Sequence, residues 1–68
     1  MQNYYMNYFK LHFEEDIKKL NLTKYKVCKI LNCTRPTLAN RIENPGRFTL
    51  DEILTLKEHD FESMNRLI

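Results

Sequence analysis

Glycine is nearly missing from this chain: Gly46 is the single example in 68 residues, and Pro36 and Pro45 are the only prolines. Tight hairpins draw on residues that accept positive φ, so this shortage argues against a β-rich architecture and for helices joined by short loops. Tryptophan is absent, and the two cysteines, Cys28 and Cys33, are too few for a small secreted disulfide scaffold. No apolar run approaches the roughly 20 residues needed to span a bilayer. Met1 to Lys10 lacks the basic flank and apolar stretch of a signal peptide, so a reducing cytoplasm is the expected setting. The chain also lacks a nucleophile–base pair, a Gly-rich phosphate loop and a metal quartet, so neither an enzyme nor a cofactor, metal or small-molecule substrate is expected.

What is present reads as one small globular domain. Hydrophobic residues make up 43% and charged residues 29%, which suits a folded chain rather than a disordered one. The net charge of +2 hides an uneven distribution. Leu22 to Arg47 holds Lys24, Lys26, Lys29, Arg35, Arg41 and Arg47 against Glu43 alone, a charge of +5. The rest of the chain carries five cations and eight anions, a charge of −3. A basic centre between acidic flanks suits a polyanionic partner.

Apolar spacing predicts the helices. Tyr5, Phe9, Phe13, Ile17 and Leu20 recur at steps of three and four, one buried stripe on a helix over about 7–20, with Glu14, Glu15, Lys18 and Lys19 facing water. Thr23 is placed to cap a second helix over 23–31, with Leu22 and Val27 as a hydrophobic staple and Val27, Cys28 and Leu31 inward. Asn32 tolerates the left-handed conformation that ends helices. Thr34 caps a third helix over 35–43, where Pro36 in the first turn sacrifices no hydrogen bond and Leu38 and Ile42 point inward. Asn44-Pro45-Gly46 breaks it. Thr49-Leu50-Asp51-Glu52 is a capping box for a fourth helix to about His59, and Phe48 with Ile53 completes its staple. A fifth helix over 61–67, capped by Asp60, is the last expectation.

The central pair, helix, three-residue turn, helix, carries the functional reading. Such a turn needs a small residue where the helices approach, here Cys28, and a left-handed residue, here Asn32, while Cys33 and Leu38 plug the angle. The stretch LTKYKVCKILNCTRPTLANR, Leu22 to Arg41, resembles the helix-turn-helix of the phage repressor and Cro-like (XRE-type) transcription regulators. In that family a small residue stands at the position of Cys28, Gly at Asn32, an aliphatic residue at Cys33, Ser or Thr at Thr34 and an aliphatic residue at Leu38. The following NPGRFTLDEIL is similar to the loop and fourth helix of many members. The resemblance spans about Phe9 to His59 and implies an all-α, lambda-repressor-like bundle of four to five helices around a central helix-turn-helix.

Elementary recognition chemistry assigns the same roles. The N-terminal half of the second helix of such a pair enters the major groove, where Arg35 would fork onto guanine and Asn40 would bind adenine in bidentate fashion. Pro36 and Ala39 would lie against thymine methyls, and Thr37 and Arg41 would reach base edges or phosphates. The helix starts at Thr23 and Thr34 offer backbone N–H groups to phosphate. By resemblance, Lys24, Asn44 and Arg47 meet the DNA backbone.

The resemblance also implies a two-fold homodimer on double-stranded DNA. The C-terminal set Phe61, Met64, Leu67 and Ile68 is the preferred contact, and the N-terminal cluster Tyr4, Tyr5, Met6 and Tyr8 is the alternative. The size of the chain suggests repression in a phage or prokaryotic cytoplasm. The competing reading is a protein-interaction module of the same fold, an antitoxin-like or inhibitory partner, with Arg35, Asn40 and Arg41 an ordinary solvated face. Cys28 and Cys33 with His12 and His59 do not match a zinc-finger spacing, and packing is the expected role of both cysteines. Glu14-Glu15-Asp16 reads as a solvated acidic run.

Overall fold

The computed structural model describes residues 4–67, with side chains from Tyr8 onward. Helix α1 spans Tyr4–Lys19, α2 Lys24–Leu31, α3 Arg35–Glu43 and α4 Leu50–Glu58. A 3-10 turn, Pro45–Arg47, follows α3, and a 3-10 helix, Glu62–Arg66, follows α4. The fold is all-α, and no strand occurs among the described residues.

Each of the three later helices starts where its sequence announces it. Thr23 Oγ1 accepts the Lys26 N–H at 3.1 Å and Thr34 Oγ1 accepts the Thr37 N–H at 3.4 Å. Thr49 and Glu52 complete the reciprocal capping box, at 3.2 Å and 2.9 Å. These bonds satisfy amide groups that the helix itself leaves unpaired. Helix α1 begins earlier than the apolar stripe indicates, at Tyr4 rather than near Asn7.

The ends of α1, α2 and α4 share one device. Asn21, Asn32 and Asp60 adopt φ of 57°, 56° and 69°, the left-handed region. In each case the residue that follows donates its N–H back to the carbonyl five residues earlier: Leu22 to Ile17, Cys33 to Cys28 and Phe61 to Leu56, at 2.9, 2.9 and 3.0 Å. This is the Schellman arrangement, and the residues of each pair belong to the hydrophobic core or pack against it. Three short polar residues therefore do what glycine commonly does at helix ends, which is how the chain folds with one glycine. Asp60 ends α4 in this way rather than capping the last helix, where Phe61 stands at the cap position.

Helix α1 packs against α3 and the C-terminal 3-10 helix, while α2 packs against α3 and α4. All four phenylalanines meet at the centre. Phe13 lies 5.7 Å from Phe9, 6.3 Å from Phe48 and 5.3 Å from Phe61, ring centre to ring centre. These separations fall in the range where aromatic pairs attract beyond simple burial. Ile17, Val27, Cys28, Leu38, Ile42, Ile53, Leu56 and Met64 complete the core.

Two expectations are corrected here. Asp16 is buried rather than solvated, because its Oδ2 accepts the Ser63 N–H at 2.8 Å and clasps the C-terminal segment onto α1. Phe61 and Met64 are 1% and 0% exposed, so they fill the core and cannot form a surface contact with a second copy. Leu67 is half-buried against the same core. Ile68 and the side chains of Tyr4, Tyr5 and Met6 lie outside the described residues, and Tyr8 is exposed.

Candidate nucleic-acid interface

Helix α3 is divided cleanly by burial. Leu38 and Ile42 anchor it to the core, while Arg35, Pro36, Ala39, Asn40 and Glu43 are exposed. Those exposed positions follow helical spacing, so they form one continuous face. Four of the six side chains expected to read bases lie on it. Thr37 sits at its edge, half-buried, with its Oγ1 accepting the Thr34 hydroxyl at 3.0 Å.

Arg41 departs from its expected role. It is 23% exposed, and its Nε donates to Glu52 Oε1 at 3.1 Å. The same oxygen accepts the Thr49 N–H at 2.9 Å. Burial alone would raise the Glu52 carboxyl, but the Thr49 N–H and the Arg41 guanidinium outweigh it and hold the group below its ordinary range. One carboxylate thus ties the start of α4 to the last turn of α3. This contact holds the Arg41 side chain toward α4 rather than free on the exposed face of α3.

The surrounding positions differ in what they leave free. Thr23 is exposed at the start of α2. Lys24, the first residue of α2, is half-buried and pairs with Glu14 of α1 at 2.8 Å. Asn44 turns its amide onto the end of α3, where Nδ2 donates to the Asn40 carbonyl at 3.3 Å, so that group caps a helix. Arg47 is exposed at the end of the 3-10 turn. Among the described residues Arg35, Arg47 and Lys26 form no ion pair, and the Lys29 ammonium sits 5.4 Å above the Tyr25 ring centre.

The starts of α2 and α3 come together. Lys24, Arg35, Pro36, Leu38, Ala39 and Ile42 line one shallow cleft of 270 Å³, with two cations at its rim and an apolar floor. A second, open cleft of 710 Å³ lies between α1 and the C-terminal 3-10 helix. Its walls carry both signs of charge and are bridged by Lys19 and Glu62 at 3.4 Å.

The carboxylates Glu14 and Glu52 were not legible as part of this region. Glu52 showed in the sequence as a capping residue, but nothing local points it at Arg41. Glu14 gave no signal at all. Cys28 is buried in the angle of the turn, and Cys33 is half-buried beside it; both are free thiols. Burial pushes the Cys33 thiol up, and its neighbour Cys28 adds to that. No three His, Cys, Asp or Glu side chains converge on a metal position among the described residues. No family model, curated protein or solved structure matches the chain.

Proposed function

We propose that this chain is a sequence-specific double-stranded DNA-binding regulator that reads the major groove with α3. The observation that carries this reading is the exposed face of α3. Arg35, Pro36, Ala39 and Asn40 lie side by side on a helix anchored from behind by Leu38 and Ile42. A rigid helix with a free fork of donors and a neighbouring carboxamide has the two side-chain types best suited to guanine and adenine. Thr34 and Thr23 start the two helices that would point backbone N–H groups at phosphates, and Arg47 supplies a cation beyond the far end of α3.

Groove reading by one short helix covers only a few base pairs, so a pair of chains spaced by one turn of DNA is part of the proposal. Burial takes Phe61 and Met64 out of the surface that would supply its contact. The exposed apolar side chains Leu11, Tyr25, Leu50 and Leu54 favour the alternative reading, a protein-interaction module, to the extent that they need a cover. Binding to duplexes drawn from a random pool separates the two. Enrichment of a defined site, with affinity falling steeply against salt, supports the DNA reading. Absence of any enriched sequence sinks it and leaves the interaction module.

A further inference from the structure

The ion pair between Lys24 and Glu14 differs in kind from that between Arg41 and Glu52. The second is 23% and 15% exposed, and its carboxylate is fixed by a further hydrogen bond to the Thr49 N–H. The first is a single 2.8 Å contact between side chains each 37% exposed, with a flexible lysine on one side. Solvent reaches it, so another anion can exchange with the Glu14 carboxylate. Lys24 shares its cleft with Arg35, so the exchangeable pair sits beside the tip of α3.

From this we infer that Glu14 sets the affinity of the proposed DNA site by occupying Lys24 in the free protein. The inference rests on the duplex-binding reading given above. A carboxylate already bound to the ammonium stands in for a phosphate. A duplex that takes Lys24 must then displace Glu14 and leave its negative charge facing the DNA backbone. Lys24 consequently contributes almost nothing to counterion release while Glu14 is present. The +5 charge of the central segment overstates its attraction for a polyanion, because Glu14 and Glu52 reach into it from the acidic flanks.

The test is a titration of the full chain against a fluorescein-labelled duplex of random sequence, repeated over a range of salt. Four proteins are compared: the parent, Glu14→Gln, Lys24→Gln and the double variant. Glu14→Gln is expected to bind roughly fivefold tighter at low salt and to steepen the log–log salt slope by about 0.9, the value of one added phosphate contact. Adding Lys24→Gln to Glu14→Gln is expected to cancel the gain and restore the parent's affinity and slope, whereas Lys24→Gln alone leaves the Glu14 charge uncompensated and is expected to bind less tightly. If the parent binds but Glu14→Gln has the same affinity and slope, this inference is overturned while the DNA reading stands. If the double variant binds severalfold more weakly than the parent, Lys24 is already free for phosphate in the parent and the inference is equally overturned. If the parent binds no duplex at all, the DNA reading falls and the inference goes with it.

Discussion

Two segments of this molecule looked alike as candidate surfaces, and the folded chain treats them in opposite ways. On α3 the polar and small residues Arg35, Pro36, Ala39 and Asn40 stay in solvent. In the C-terminal segment, Phe61 and Met64 turn inward and complete the phenylalanine cluster. The difference lies in what each pattern specifies. An amphipathic helix with both an apolar and a polar face states which side is outside. A short apolar series with no continuous helix to display it states only that something must cover it, and here the chain's own core does so.

The strongest challenge to this contrast is Phe61→Ala. Loss of a buried ring that contacts Phe13 should lower stability by about 3–5 kcal/mol, independently of protein concentration. A melting temperature that tracked concentration in the parent and not in the variant would instead place Phe61 between two chains. On the other side, Arg35→Ala should leave the thermal transition within about 0.5 kcal/mol of the parent, as for an ordinary surface change. The same variant should lose about 1–3 kcal/mol of discrimination at one base pair of an enriched site. Equal affinity of parent and variant for every duplex would remove Arg35 from the reading face.

The clamp between the two regions gives a smaller effect. Glu52→Ala removes the capping box and the tether on Arg41, and should cost about 1–2 kcal/mol. The folded Glu52 carboxyl titrates below its ordinary value. Its contribution is therefore complete above about pH 4.3, the ordinary glutamate value, and is lost as pH falls through the lower folded one. Denaturant midpoints of parent and Glu52→Gln should accordingly converge in acid; a constant gap at every pH would contradict the assignment. Smallest is Ser63→Ala. The Ser63 hydroxyl is buried without a hydrogen-bond partner, so its removal should be neutral or stabilising by roughly 1 kcal/mol. A clear loss of stability would mean that Oγ has a partner in solution.

Much of the fold was legible because the decisive signals are local. Thr23, Thr34 and Thr49 each lie three residues from the amide they accept, and Asn32 carries its stop signal alone. Most of the proposed reading face was legible for the same reason: burial alternates along α3 at helical spacing. What escaped the sequence are partnerships set by tertiary structure. Asp16 looked solvated until Ser63 arrived from 47 positions away. Arg41 looked free until Glu52 closed on it from 11 positions away. In each case the side chain type was right for the expected role, and the fold used it for a different one.

The three left-handed helix ends have a kinetic consequence. With start and stop signals confined to a few neighbouring residues, α2 and α4 can find their limits before distant parts of the chain meet. Local contacts of this kind favour fast folding. The Asp16–Ser63 clasp joins α1 to the C-terminal segment across 47 positions and demands a long loop closure. Its contribution should therefore appear late on the folding route. Weakening it with Asp16→Asn should hasten unfolding and leave the folding rate nearly unchanged, so this bond would govern how long the native state lasts rather than how quickly it forms.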